Sequence, residues 1–142
     1  DSEGLVTAKS AGKVTITVTV EGHDSIKDTI ELTVEPEEFK VTRIDTGKIK
    51  NGSEARLEFN IRENMEQTRS ATLIVALYDK NTNKMINYAF ATKEYQPGES
   101  TNLGAGFLVP ETGNHIIKCF VWEDLENQNV ILANPIDIDV EK

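Results

Sequence analysis

The stretch Asn114–Glu123 constrains the fold of this chain more than any other segment, because it carries apolar side chains at both parities of a β-strand's two-residue period. It reads Asn-His-Ile-Ile-Lys-Cys-Phe-Val-Trp-Glu. The parity that we expect to point into a core consists of Ile117, Cys119 and Val121. The parity that we expect to point outward consists of Ile116, Lys118, Phe120 and Trp122. The stretch therefore predicts a strand in a sheet whose outer surface is also apolar.

Seven strand candidates separated by turn signals lie between Phe39 and the end of the chain. Their spacing is typical of an all-β sandwich. They are Phe39–Ile44, Ala55–Ile61, Ala71–Tyr78, Met85–Thr92, Thr101–Val109, Asn114–Glu123 and Val130–Val140. A helix from Met65 to Leu77 competes with the third candidate, but the β-branched Ile74 and Val75 favour a strand. In the fifth candidate, Gly104 and Gly106 predict a bulge or a close approach of the backbone.

The first 35 residues predict a separate β segment. Lys13–Val20 alternates apolar residues with threonine, and Asp28–Val34 follows it after a polar loop, Glu21–Ser25. A shorter strand-like run occupies Leu5–Ala8. Glu35-Pro36-Glu37-Glu38 then combines a proline with three acids, which is typical of an extended linker. We therefore expect a partial β domain over residues 1–35, a linker over 36–38 and a complete domain over 39–142.

Part of this N-terminal segment resembles a known family. Gly4-Leu5-Val6-Thr7-Ala8, followed by Gly12-Lys13-Val14-Thr15-Ile16-Thr17-Val18, is similar to the closing half of a group-2 bacterial immunoglobulin-like domain. The resemblance covers residues 1–35. It implies an extracellular or cell-surface protein built of tandem β-sandwiches, and it transfers no functional residues. Because the earlier strands of that family are missing, we interpret the chain as a piece of a longer polypeptide.

A second resemblance covers residues 39–142. The segment Leu73–Tyr78 with Asp79, the turn Pro97-Gly98-Glu99 and the stretch Phe120–Glu123 resemble immunoglobulin-like domains that trail secreted polysaccharide-degrading and surface proteins of Gram-positive bacteria. The fold that this implies is an immunoglobulin-like or fibronectin type III-like sandwich. The role that it implies is accessory.

The N-terminal segment has one apolar face, and two or three strands cannot bury such a face alone. We expect it to pack on the second domain, on another copy of the chain or on a partner. Self-association through residues 5–34 is therefore one hypothesis. The apolar residues concerned are Val14, Ile16, Val18, Ile30, Leu32 and Val34.

Outward aromatic side chains are the strongest functional signal. If the third, fourth and sixth strands of the second domain share a sheet, five rings lie on or near one surface. These binding or interface candidates are Tyr78, Tyr88, Phe90, Phe120 and Trp122. One interpretation is a surface covered by a neighbouring domain, most simply Leu5–Val34. The alternative is a platform on which sugar rings stack.

Charge and residue types exclude several other classes of function. With 24 acidic and 15 basic residues, the net charge is −9, which disfavours nucleic acid and anionic membranes as partners. The single cysteine, Cys119, is expected to be a buried, inert thiol. Asp79–Asn83 has oxygen-bearing residues at calcium-loop spacing but lacks the glycine and the closing acid, so a hairpin turn is preferred. The pair Asp137 and Asp139 is expected on the solvated face of a strand.

The sequence thus predicts a non-catalytic accessory or spacer module of a bacterial extracellular or cell wall-associated protein, contacting neighbouring domains of its own polypeptide. A carbohydrate-binding module is the second hypothesis and a homophilic adhesion module the third. We predict no catalytic residues, no metal, no cofactor and no membrane insertion.

Overall fold

The computed structural model describes residues 6–126 and 131–142. The chain divides into two compact units, Asp1–Glu37 and Glu38–Lys142. Across the described residues the fold is all-β, with ten strands and no helix. The competing helix from Met65 to Leu77 is therefore wrong, and the predicted strand at this position is confirmed.

The first unit contains an antiparallel hairpin of β1 (Gly12–Val20) and β2 (His23–Val34). The turn between them is tight, with Gly22 at φ 76°. The strand β2 therefore begins at His23, inside the predicted polar loop Glu21–Ser25. Within the predicted run Leu5–Ala8, Leu5 lies outside the described residues, and the remaining three residues are not in a strand.

Cross-strand pairing gives the hairpin one apolar face. Val14 pairs with Leu32, and Ile16 pairs with Ile30, while Lys13 and the threonines point to the other side. This follows from the alternation of apolar residues with threonine in β1. A two-stranded ribbon of this kind is marginally stable by itself in water.

The second unit has eight strands among its described residues, arranged in two sheets. The strands are β3 (Phe39–Arg43), β4 (Ile49–Lys50), β5 (Glu54–Glu63), β6 (Arg69–Asp79), β7 (Lys84–Tyr95), β8 (Ser100–Leu108), β9 (His115–Trp122) and β10 (Ile136–Glu141). The larger sheet has the order β4-β10-β9-β6-β7, and the smaller has the order β3-β5-β8. All neighbours are antiparallel except the short pair of β4 with β10.

The core of this unit lies between the two sheets. On β5 the predicted alternation holds, so Leu57, Phe59 and Ile61 are fully buried. On β9 the predicted parity holds as well, because the inward set is buried and the outward set is only partly covered. The other large core residues come from both sheets and include Phe39, Leu73, Val75, Leu77, Tyr95 and Ile117.

The last strand candidate, Val130–Val140, has a break at Asn134-Pro135, where the proline predicts a strand edge or a crossing between sheets. Val130 lies outside the described residues, and the strand β10 starts only after Pro135. Leu132 makes backbone hydrogen bonds to both sheets. Its N–H donates to the Val121 carbonyl of β9 at 2.9 Å, and its carbonyl accepts from the Phe39 N–H of β3 at 3.2 Å. The short strand β4 was not predicted, because two residues are too few for a periodic signal.

Gly106 confirms the predicted close approach of the backbone in β8. A Cβ atom added there would lie 2.1 Å from the carbonyl oxygen of Ala55, which no side chain can occupy. At Gly104 the corresponding distance to the Leu57 carbonyl oxygen is 3.2 Å. The register between β5 and β8 is continuous, so the glycines permit close pairing and not a bulge.

A buried carboxylate ties two loops of the second unit together. Glu63 is fully buried at the end of β5, and it accepts hydrogen bonds from the Met65 N–H at 2.7 Å and the Gly98 N–H at 2.9 Å. Burial alone would raise the pKa of this carboxyl, but backbone N–H donors from both loops outweigh it, and the net direction is downward. The charged form is therefore the one that holds the loops.

We predict that Glu63→Gln lowers the free energy of unfolding by about 2 kcal/mol near neutral pH, since an amide leaves buried N–H donors without acceptors. A lowered folded pKa means that this stabilisation is complete above the unfolded value of 4.5 and is lost as the pH falls through the folded value. Urea unfolding followed by Trp122 fluorescence at several pH values measures it. A difference from wild type that is constant down to acidic pH would contradict the assignment, and the exposed Glu54→Gln is the control.

Candidate functional site

The outer face of the larger sheet brings three aromatic-bearing strands side by side. The order β9-β6-β7 places β6 in the middle, and the registers on its two sides align residues into rows. Phe90, Ile74 and Phe120 form one row across the strands. Tyr88, Ala76 and Lys118 form the next row.

All five predicted candidates lie on this outer face. Tyr78 comes from β6, Tyr88 and Phe90 come from β7, and Phe120 and Trp122 come from β9. The rings on each flanking strand contact one another: the Tyr88 and Phe90 centroids are 6.4 Å apart and nearly parallel, and those of Phe120 and Trp122 are 5.4 Å apart. The face therefore carries two aromatic pairs with the middle strand between them.

An open groove of about 320 Å³ runs along this face. We call it the outer groove, and it is lined by Ile74, Ala76, Tyr78, Met85, Tyr88, Phe120, Trp122 and Leu125. Ile74 and Ala76 form the floor, because they belong to the middle strand. The larger side chains on β7 and β9 form the walls. The small Ala76 leaves space between them.

Burial differs sharply between floor and walls. Ile74 is 4% exposed and Ala76 is 1% exposed, whereas Met85 is 53% exposed and Tyr88 is 50% exposed. The outward side chains of β6 are thus covered by the rings of the neighbouring strands. The walls themselves present large apolar surface to solvent.

Charges border the outer groove on the side of β10. The Lys118 Nζ lies 5.9 Å from the centre of the Tyr78 ring and 3.7 Å from a carboxylate oxygen of Asp137. Asp139 pairs with Lys80 at 2.5 Å. These ion pairs place both aspartates on the solvated face, as predicted, and leave the groove lining itself without a carboxylate.

The threonine pair and the tryptophan at the end of the groove differ in whether their polar atoms have hydrogen-bond partners. The hydroxyls of Thr72 and Thr92 lie 2.9 Å apart and satisfy each other. The buried Nε1 of Trp122 has no hydrogen-bond partner within the described part of the chain. Buried polar groups usually have one, so the Trp122 indole N–H is an exception, as is the Tyr95 hydroxyl.

Four lining residues are not among the five predicted candidates: Ile74, Ala76, Met85 and Leu125. Met85 reaches the outer face only because of a bulge, since Leu77 pairs with Asn87 while Tyr78 pairs with Met85, leaving Ile86 as the extra residue. A strict two-residue period would place Met85 on the opposite face. No signal in the sequence marks the bulge.

Residues of the types that serve metal binding or nucleophilic chemistry have structural roles in this unit. Asp79 Oδ1 accepts from the N–H groups of Asn81 and Thr82, both at 2.8 Å, and so forms the predicted hairpin turn. Its pKa is lowered chiefly by the Thr82 N–H. Cys119 is buried, and burial raises the pKa of its thiol to about 12. His115 is buried with its Nδ1 3.0 Å from the Asn51 Oδ1.

Among residues 6–126 and 131–142, His, Cys, Asp and Glu side chains form no group of three or more that could hold a metal ion. The same residues include no helix long and apolar enough to span a membrane.

Comparison with known proteins identifies structural neighbours only. The sequence matches no family model and no curated protein. The structure is similar to part of a β-glucosidase from Listeria innocua in complex with glucose, with a TM-score of 0.51, 17% identity, and coverage of 78% of this chain and 17% of that chain. The same enzyme in complex with isofagomine gives a TM-score of 0.50 at 17% identity and the same coverage.

The chain thus spans 17% of the length of these β-glucosidase chains. At 17% identity the similarity is one of fold alone. This similarity agrees with a β-sandwich fold, and it does not transfer the active site of the β-glucosidase to this chain.

The floor and walls of the outer groove are expected to respond differently to truncation. Ile74→Ala should lower the free energy of unfolding by about 3 kcal/mol, because it removes a buried side chain from the middle strand. Tyr88→Ala should cost about 1 kcal/mol or less, because half of that ring is already in solvent. Chemical denaturation of the two variants tests this. Equal losses would mean that the wall is part of the core.

Proposed function

We propose that this chain is part of a modular extracellular or cell-surface bacterial protein, in which it serves as a non-catalytic accessory module that spaces and orients neighbouring domains. The first unit would be the closing part of a bacterial immunoglobulin-like domain. The alternation of Lys13–Val20 and its hairpin partner β2 support this assignment. The protein's place outside the cell rests on the two family resemblances.

The second unit would be an immunoglobulin-like or fibronectin type III-like domain. Its strand order supports this proposal, because β3-β5-β8 faces a sheet in which β7-β6-β9-β10 are consecutive neighbours. Immunoglobulin-type sandwiches likewise divide about seven antiparallel strands between two sheets and connect them across the core. The parallel pair of β4 with β10 adds a short edge to the larger sheet.

The contact surface of the module would be the outer groove. The observation that carries this proposal is the half-exposure of Met85, Tyr88 and Phe90, which lie beside a fully buried apolar floor. Contiguous exposed apolar surface is typical of interaction sites. The groove lining supplies apolar contacts and two tyrosine hydroxyls, and it has no carboxylate or imidazole for acid-base chemistry.

Oxidative footprinting tests whether a neighbouring domain covers this surface. The chain has two methionines, Met65 and Met85. Met85 lines the outer groove and is 53% exposed, whereas Met65 lies in the loop before β6 and serves as the internal control. We expect Met85 to oxidise several-fold more slowly in a longer polypeptide that includes the adjacent domains, with Met65 unchanged. Equal rates for Met85 in both proteins would remove the proposed contact.

Carbohydrate binding is the second candidate function, and a specific feature favours it. Rings on both walls enclose a space of about 320 Å³, within the size range of small-molecule sites. A pyranose ring has apolar C–H faces that stack on aromatic side chains. The phenol groups of Tyr78 and Tyr88 would then meet sugar hydroxyls.

Titration of the chain with soluble polysaccharides tests this second function. If a sugar stacks in the outer groove, the fluorescence of Trp122, the only tryptophan, should shift with saturation. Tyr88→Ala should weaken the response by about tenfold, since stacked aromatic side chains are typical hot spots. The matched control is Leu108→Ala, which removes another exposed apolar side chain on β8 of the smaller sheet. A flat response across neutral and acidic polysaccharides would leave the protein contact as the function.

A further inference from the structure

The turn between β4 and β5, residues 51–53, contains the only Asn-Gly step of the sequence, Asn51-Gly52. An asparagine side chain can lose its amide when the backbone nitrogen of the next residue attacks it. Glycine hinders this attack least, because it has no Cβ and its backbone reaches conformations that other residues avoid. Asn51 is therefore the asparagine of this chain that is most susceptible to deamidation.

The fold requires both residues at this turn. Gly52 has φ 74°, in the left-handed region that favours glycine. The Asn51 side chain uses both ends of its amide: Nδ2 donates to the Gly113 carbonyl at 3.0 Å, and Oδ1 lies 3.0 Å from the His115 Nδ1. His115 is buried, and Gly113 packs so closely on its ring that an added Cβ would lie 2.4 Å from the His115 Cε1. The labile pair thus follows from what the turn needs.

Hydrogen bonds of the same turn oppose the reaction. The Gly52 N–H donates to the Pro110 carbonyl at 3.0 Å. The Ser53 hydroxyl accepts from the Lys50 N–H at 3.1 Å and donates to the Lys50 carbonyl at 2.7 Å, which closes the turn. Attack requires the Gly52 nitrogen to lose its proton and to reach the Asn51 Cγ. The turn must therefore open before Asn51 can react.

We propose that Asn51 is a modification site, at which spontaneous deamidation is controlled by opening of the turn between β4 and β5. The Gly52 nitrogen forms a bond to the Asn51 Cγ, and Nδ2 leaves as ammonia, which gives a cyclic succinimide. Water then adds to one of the two ring carbonyls and breaks its bond to the ring nitrogen. The product is aspartate or isoaspartate, depending on which bond breaks. Overall, one water is consumed and one ammonia is released.

Neither product fits the native turn. A carboxylate at position 51 has no proton to donate to the Gly113 carbonyl, so two oxygens would face each other across 3.0 Å. Isoaspartate would also add a methylene to the backbone between the N–H of Asn51, which donates to the Glu141 carbonyl, and the N–H of Gly52, which donates to the Pro110 carbonyl. Deamidation would therefore loosen the turn from β10 and from the loop before β9, and the loosened form would accumulate as the protein ages.

Peptide mass spectrometry of the full chain, incubated at mildly alkaline pH, tests the proposal. Conversion of Asn51 should be about tenfold slower in native buffer than in urea, because the hydrogen bonds of the turn must first open. Ser53→Ala should raise the native rate several-fold and leave the rate in urea unchanged, since it frees the turn without altering the reacting pair. Ser100→Ala is the matched control: it removes an exposed hydroxyl that donates to Asn60 and should change neither rate.

The product is tested separately by urea unfolding followed through Trp122 fluorescence. Asn51→Asp should lower the urea midpoint. Asn102→Asp adds the same charge but keeps an oxygen that accepts from the Asn60 Nδ2, so it should leave the midpoint unchanged. Equal conversion rates in native buffer and in urea would overturn the proposal, as would no conversion in urea, a native rate unaffected by Ser53→Ala, or equal midpoints for the two aspartate variants. None of these results depends on whether the outer groove binds a ligand.

Discussion

Burial of β6 on both of its faces is the constraint on which the second unit depends. Its inward residues Leu73 and Val75 are fully buried between the two sheets, and its outward residues Ile74 and Ala76 are almost equally inaccessible. A strand at the surface of a two-layer sandwich normally has one wet face. Here the aromatic side chains of β7 and β9 fold over the middle strand and act as a partial third layer. The position of β6 between those two strands is what makes this possible.

The outer groove is a consequence of incomplete cover in that third layer. Where Ile74 stands between Phe90 and Phe120, a large aliphatic side chain fills the space between the rings. One row further along, Ala76 stands between Tyr88 and Lys118 and leaves the space open. The wall residues cover the floor, yet on the β7 side about half of the surface of Met85 and Tyr88 remains in water. Stability and an exposed apolar surface therefore arise from the same side chains.

Sequence reasoning found what periodicity can encode. Because β6 and β9 carry apolar residues at both parities, the sequence predicted that the middle of the sheet is apolar on both faces. The candidate rings do lie on one face. Features that depend on a single register shift or on the backbone partners of one residue were not predictable. The bulge at Ile86 reverses the side of Met85 within a run that looks continuous. The break at Asn134-Pro135 does not indicate that Leu132 hydrogen-bonds to both sheets. The two-residue β4 exists only because β10 is available to pair with it.

The two borders of the outer face differ in a way that bears on how a partner approaches it. On the β10 side, Lys118 with Asp137 and Lys80 with Asp139 hold ion pairs at the surface. Covering them would require removal of water from four charged groups, which is costly unless the partner supplies matching charges. On the β7 side, a partner would displace water from half-exposed rings and from backbone groups that a strand can pair. Association from the β7 side therefore has the smaller desolvation cost, and the apolar walls favour a partner that arrives across that edge.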